Sequence, residues 1–481
     1  MKFFGRNLTT FLSVVFLCIF LCACGSNSPL RFNPGSPDTP AALTATAGNG
    51  QVSLSWSATI NPVVPTVYNI YYSTSPGVTT GTGTKIADIA STSTIVTGLA
   101  NHTPYYFTIT ARNSDSESPL SNEVSVIPSE PGPFVQSDLE GTWNFNLLVT
   151  GVGAKWMRGN ATIDASGNVA VNTFLDSSGN TSAPAGLFST MNILPDGFIS
   201  QTGPETDFQG TLSNNQFKDI LVGSASAGGA SPMIAILQKQ VTGISFSASD
   251  IKGTGQAVAG PLIFVYHQLS SGVNQEWEYA SGQIGSDQKV TYSSIKAPTP
   301  RQLPGGVSKV VTLAITSQGI VTETAIAGIS PQPAALLKQG IMSADKMMIV
   351  GTATDAQGAF ILRIMQFIHP PSIALTPSTY SLGDLAGSYN SHKLINGATP
   401  LWAYGYLSID ASGAATYASY LDSSGNSALP GAFVLAMDQQ GVLTNAADQS
   451  YHGKLSFFKD MFVSTGTGPT GEYSLGIALK R

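Results

Sequence analysis

The chain has 481 residues, of which 42% are hydrophobic and only 10% are Asp, Glu, Lys or Arg, with 50 glycines, 28 prolines and a formal net charge of −6. At roughly 150 residues per domain this length predicts about three domains, or four small ones, and the shortage of charge leaves solubility to Ser, Thr, Asn and Gln. So much glycine and proline excludes a largely helical protein, and the negative balance excludes a nucleic-acid binder, which needs clustered Lys and Arg to displace counterions.

The first element is an export address. Lys2 and Arg6 precede an uncharged apolar run of 13 residues, from Phe11 to Ala23. A bilayer span takes about 20 residues, so residues 1–23 read as a signal peptide. All three cysteines, Cys18, Cys22 and Cys24, lie in or beside it. The sequence Leu21-Cys22-Ala23-Cys24 resembles the lipobox of bacterial lipoproteins. That resemblance implies cleavage before Cys24, acylation of Cys24 and permanent tethering, since acyl chains contribute about 0.8 kcal/mol per buried CH₂. It also implies a mature chain without a free thiol, and hence without disulfide, Cys-ligated metal or Cys nucleophile. Gly25 stands where the family's inner-membrane retention rule places Asp, so the implied address is the outer membrane of a two-membrane cell. Residues 24–38, rich in Gly, Ser, Pro and Asn, read as a flexible tether.

From residue 39 to 130 the texture changes to short runs alternating with period two and broken by Gly, Pro, Asn and Ser, the pattern of half-buried strands in a sandwich. Trp56 in LSWSA, Tyr68 in VYNIYY, and Gly98-Leu99 followed by Thr103 and Tyr105 resemble the core tryptophan, third-strand tyrosine and tyrosine corner of a fibronectin type III domain. The resemblance implies a seven-strand sandwich with these three rings in its core; Asn101 replaces the usual proline of the corner. Such modules are spacers and interaction units in unrelated proteins.

Beyond residue 138 the chain repeats itself. Asp138-Leu139-Glu140-Gly141-Thr142-Trp143, Trp156, Gly159, IDASG at 163–167 and LDSSGN at 175–180 all recur 246 residues later, beginning at Asp384. A weaker copy opens at Asp250 and contains Trp277. The predicted units are therefore 138–240, 250–368 and 384–481, each with room for about eight antiparallel strands, and turns such as IDASG supply the glycine that a tight hairpin needs. Antiparallel strands of this number must hide an apolar face and their edges. Each unit can curl into its own meander barrel, the opening Gly-Thr-Trp resembling lipocalin-like and avidin-like first strands; the alternative is one six-bladed β-propeller. Unlike half-units and a linker-like stretch at 369–381 favour tandem barrels, and the predicted fold class is all-β: a sandwich followed by three barrels.

Candidate chemistry is sparse. His102, His267, His369, His392 and His452 show no paired spacing, so no metal is predicted. Serine elbows, phosphate loops and dinucleotide fingerprints are missing, and no cofactor is implied. The acids sit mostly in Asp-Ser-Gly turns, where Asp bonds its own backbone rather than calcium. Trp156, Trp277 and Trp402, one per unit, are either core residues or a repeated aromatic platform for a ligand. The expected function is that of a noncatalytic, lipid-anchored cell-envelope protein binding or scaffolding through its repeated domains, with an envelope protein or a polysaccharide as partner. The alternative is an extracellular carbohydrate-active enzyme or its glycan-binding accessory, which would need two carboxylates about 5–10 Å apart in one pocket.

Overall fold

The computed structural model describes residues 35–58, 67–101, 103–114, 116–128, 132–202, 207–227, 231–252, 261–298, 310–326, 335–368 and 380–481. The signal, Cys24 and the tether as far as residue 34 lie outside the described residues, as do His102 and His369. The chain divides into two compact units, Met1–Ser129 and Glu130–Arg481.

The first unit is a sandwich of two antiparallel sheets. One holds β1 (Ala41–Gly48), β2 (Gln51–Ser57) and β5 (Ser93–Thr97); the other orders β4 (Thr84–Ile89), β3 (Val67–Ser73), β6 (Tyr105–Arg112) and β7 (Val124–Val126). Alternation builds the core: Val52, Leu54 and Trp56 of β2 point inward against Tyr68, Ile70, Phe107 and Ile109. The Trp56 and Tyr68 rings meet edge to face at 5.3 Å, and the corner Tyr105 hydroxyl accepts the Ala100 N–H at 3.1 Å. On the outer face of β3 and β6, Glu117 takes bonds from Asn69 Nδ2 (2.7 Å), the Tyr71 hydroxyl (2.8 Å) and the Thr110 hydroxyl. Burial opposes its charge, yet these three donors hold its carboxyl below the usual range.

Among the described residues the second unit contains 24 strands in three eight-stranded meanders. The first runs through β8 (Gly141–Val149), β9 (Lys155–Ile163), β10 (Val169–Asp176), β11 (Thr190–Ile193), β12 (Phe198–Thr202), β13 (Gln209–Leu212), β14 (Ile220–Ala227) and β15 (Ser231–Lys239), with β8 and β15 paired. The second, β16–β23 over residues 262–367, and the third, β24–β31 over residues 387–480, are closed barrels. No propeller is formed, because each repeat pairs its own first and last strands. The first repeat is sealed less completely. Between the turn that precedes β10 and the strand β11 a single backbone bond, Met191 N–H to Gly167 O at 2.8 Å, stands where the third repeat has the equivalent bond and a short ladder besides.

Each barrel has its own filled interior. Its entrance is a single helical turn, Gln136–Leu139, Ala248–Ile251 or Leu382–Leu385. The repeated acids Asp138, Asp250 and Asp384 cap these turns by accepting the N–H three residues earlier, at 2.8–2.9 Å. They also pair with Lys218, Lys346 and Lys459 at 2.7, 3.0 and 2.7 Å. The next residue, Leu139, Ile251 or Leu385, plugs the barrel end and is fully buried.

A fourth apolar cluster lies between the barrels. The outward residues of β14 and β15, Ile220, Val222, Ile234 and Ile236, join Val265, Leu269, Val350, Leu362, Leu394, Val463 and Ile477 from the other two repeats. Strands one and two of each repeat pack on strands seven and eight of the next: β8 and β9 on β22 (Met348–Thr354) and β23 (Phe360–Phe367), β16 (Leu262–Ser271) and β17 (Trp277–Ile284) on β30 (Met461–Thr467) and β31 (Tyr473–Lys480), β24 (Gly387–Asn396) and β25 (Leu401–Ile409) on β14 and β15. The contacts close a ring with approximate threefold symmetry inside one chain. Strands in this ring are buried on both faces, which is why β14 and β15 read as continuous rather than alternating apolar runs.

Candidate functional site

The three repeated tryptophans sit at the ring's three junctions. Each is the first or second residue of its repeat's second strand, faces outward from its own barrel and enters the neighbour's territory. The Trp156 indole N–H donates to Thr354 Oγ1 at 2.8 Å, Trp277 to Thr467 Oγ1 at 2.7 Å and Trp402 to Ser226 Oγ at 3.0 Å, always onto the end of the next repeat's seventh strand. Their exposures are 7, 3 and 2%. With buried rings and N–H groups satisfied inside the protein, the three act as bolts between the repeats.

Ten residues before each tryptophan, on the first strand, stands a second junction group: Asn146, His267 and His392. His392 Nε2 and Nδ1 lie 3.0 and 3.2 Å from the hydroxyls of Thr211 and Ser224, and His267 Nδ1 lies 3.4 Å from the Thr465 hydroxyl. Each histidine tilts against the tyrosine two residues after its tryptophan, Tyr279 or Tyr404, at 5.1 and 5.0 Å. Burial lowers both imidazole pKa values to about 3, with His452 and Lys454 adding to the effect at His267. They are neutral packing groups. The histidines are scattered in the chain, and the constant ten-residue spacing to the repeated tryptophan is the sequence signal that joins two of them.

The first junction departs from this pattern. Asn146 replaces the histidine and Arg158 replaces the tyrosine. The Arg158 guanidinium lies 4.5 Å from the Trp156 ring centroid and reaches Thr352 O at 3.4 Å. It lines a pocket of about 350 Å³ together with Trp156, Ala335, Leu336, Lys338, Ala353 and Thr354. Arg158 has no carboxylate partner among the described residues, and burial lowers its pKa.

Carboxylates come together inside the second barrel. Arg363 Nη1 donates to both oxygens of Glu323 at 3.1 and 3.0 Å, and its Nε donates to Gln268 Oε1 at 3.0 Å. Its guanidinium lies over the Tyr266 ring at 4.9 Å, and the Tyr266 hydroxyl donates to Glu278. Burial opposes the charge on Arg363, but Glu323, Tyr292 and Glu278 outweigh it and raise its pKa. Glu278 and Glu323 are each 2% exposed, and the second also accepts the Leu337 N–H at 2.9 Å. The corresponding positions to Arg363 are Ala235 and Gly476 in the other barrels. These acids are engaged in an enclosed network and present no face to a substrate. The turn acids Asp164, Asp176, Asp410 and Asp422 each bind N–H groups two and four residues on. Among the described residues no three His, Cys, Asp or Glu side chains are placed to hold a metal ion.

An all-β chain with a tyrosine-cornered sandwich ahead of one eight-stranded open meander and two closed barrels is a modular β protein. Its sandwich is a fibronectin type III domain, residues 38–127 matching that family. Among curated proteins the chain is similar to an amylopullulanase of Thermoanaerobacter thermohydrosulfuricus, 40% identical over 101 residues, or 21% of this chain and 6% of that protein. It is also similar to chitinase D of Niallia circulans, 33% identical over 98 residues, or 19% of this chain and 17% of that protein. The chain thus spans less than a fifth of the length of either. A solved Fn3-like protein from Clostridium thermocellum is 28% identical, with 21% of this chain and 99% of that one covered at a TM-score of 0.17. A match to the isotype 1 transferrin binding protein B of Neisseria meningitidis covers 93% of this chain and 78% of that one at 8% identity and a TM-score of 0.22, too distant to bear on the barrels.

Proposed function

We propose that the chain is a noncatalytic, lipid-anchored protein of the cell envelope whose three-barrel body is a rigid scaffold for a partner, either a polysaccharide or another envelope protein. One observation carries the reading. The three repeats are locked into a single body by a shared core and by Trp156, Trp277 and Trp402, whereas Glu278 and Glu323 within that body are tied into an enclosed ion-pair network and Asp164, Asp176, Asp410 and Asp422 into turns. Such a body suits presentation and binding better than chemistry, which needs a polar group facing a substrate. The lipobox-like Leu21-Cys22-Ala23-Cys24 supports the anchor. The likeness to an amylopullulanase and a chitinase supports a polysaccharide over a protein partner, as an accessory of glycan degradation.

Palmitate labelling of the full chain, with fractionation of cells, tests the address: Cys24→Ala must abolish labelling and release the protein from membranes. A Cys24→Ala protein that stays membrane-bound sinks the lipid anchor. Incubation of the mature chain with chitin and pullulan tests the absence of catalysis; release of reducing ends would overturn it.

A further inference from the structure

We infer that the cleft between the first and second barrels is a binding site for a small organic monoanion, a carboxylate carried on a single sugar ring. The inference narrows the polysaccharide arm of the proposed function to acidic sugars and rests on that reading.

The starting point is an unbalanced charge. Arg158 is only 9% exposed, and a buried guanidinium without an anion is destabilising unless something neutralises it. Its hydrogen bonding within the protein is thin: one long bond from Nη1 to Thr352 O at 3.4 Å, while Nε is buried without a partner. Close by, Asn146 Oδ1 and the Thr352 hydroxyl are also buried without partners. The other two junctions bury no cation at this place, because Tyr279 and Tyr404 occupy the equivalent position and pack on neutral histidines. Two of three copies show that the ring closes without an arginine here. The third copy keeps a destabilising cation at the wall of a pocket, a pattern typical of a functional site.

The lining specifies the ligand. Lys338 is exposed at the rim and adds a second cation, and no carboxylate among the described residues lines the pocket. Ala335, Leu336 and Ala353 provide an apolar wall that matches the C–H face of a pyranose. The volume of about 350 Å³ is near the lower limit for small-molecule sites and suits one ring. A guanidinium fork binds a carboxylate in a charge-assisted pair, stronger for being largely removed from water. A uronic acid has these features: one carboxylate, one ring and one apolar face.

Isothermal titration of the mature chain with D-glucuronate, D-glucose and acetate tests the site. D-Glucuronate should bind in the millimolar range, at least tenfold tighter than D-glucose and acetate. Arg158→Gln should weaken it at least tenfold, and Lys338→Glu, on an exposed side chain that leaves the barrel core untouched, severalfold. No glucuronate heat, an affinity equal to that of glucose, or one unchanged in both variants overturns the inference. Acetate binding as tightly as glucuronate overturns the sugar assignment. Capture of a neutral polysaccharide or an envelope protein with glucuronate silent overturns this site alone and leaves the scaffold standing.

Discussion

At the residue scale, the same amino acid performs different work in near-identical turns. Gly413, in IDASG, has φ of +84°, and a Cβ there would lie 2.1 Å from Leu435 O; Gly425, in LDSSGN, has φ of +81° with nothing within 4 Å. The left-handed conformation alone costs an alanine about 1–2 kcal/mol, so Gly425→Ala should destabilise by about that much. Gly413→Ala must also displace the backbone that seals the barrel and should cost about 3 kcal/mol or more. Urea unfolding of the two variants checks the ranking, and equal losses would refute it. The junction histidines give a pH dependence. In the fold His267 and His392 have pKa values of about 3, against about 6.5 when unfolded. Between those values the unfolded chain takes up protons that the folded chain refuses, so stability falls as pH falls from about 6.5 toward 3. At about 1.4 kcal/mol per pKa unit the two sites together represent several kcal/mol. Replacing both with Asn, the residue the first repeat carries as Asn146, should flatten the fall in melting temperature between pH 7 and 4.5. An unchanged slope would place the acid sensitivity elsewhere.

At the scale of elements, the least secure place is the seam of the first barrel. The turn before β10 and the strand β11 share one backbone bond, Met191 N–H to Gly167 O, and a Thr190 to Asn168 side-chain bond at 3.0 Å, whereas β26 (Ala414–Asp422) and β27 (Phe433–Met437) add paired residues Ala414–Val434 and Ala415–Phe433. An edge without a ladder leaves its N–H groups open to water. Amide hydrogen exchange over residues 169–171 should therefore run at least tenfold faster than over residues 414–416, and equal protection would show the seam to be closed in solution. The contrast explains what could be read in advance. Strands, turns and barrel units were legible because period-two alternation and Asp-Gly turns are local signals. The ion pairing of Asp138, Asp250 and Asp384 was not visible, since the partners Lys218, Lys346 and Lys459 lie about 75 to 96 residues downstream and no local pattern links them.

At the scale of the whole second unit, sequence supplied three units but not their closure into a ring. That closure depends on which outward faces are apolar, and β8, β9, β14 and β15 are mixed with interior positions in a way that resembles ordinary buried strands. The tryptophans were ambiguous for the same reason: a ring that faces outward from its own barrel is exposed in an isolated repeat and buried only when the neighbour arrives. Arg158 and the interior pair of Arg363 with Glu323 carried no motif at all, being single departures from the threefold pattern. The ring geometry makes a demand that beads on a string would not. Each repeat buries one face against the repeat before it and another against the repeat after it, so removing any one exposes two surfaces. A chain ending at residue 368 would uncover Val265, Leu269, Trp277 and Tyr279 on one side and Ile220, Val222, Ile234 and Ile236 on the other. Each such side chain loses about 1.5–3 kcal/mol of burial, more in sum than a domain's net stability of about 5–15 kcal/mol. The truncated protein should therefore self-associate or lose cooperative unfolding, as read by light scattering and calorimetry, while its fibronectin domain keeps its own transition. A monomeric truncation that melts like the full chain would mean that the barrels are independent beads and that the shared core contributes little.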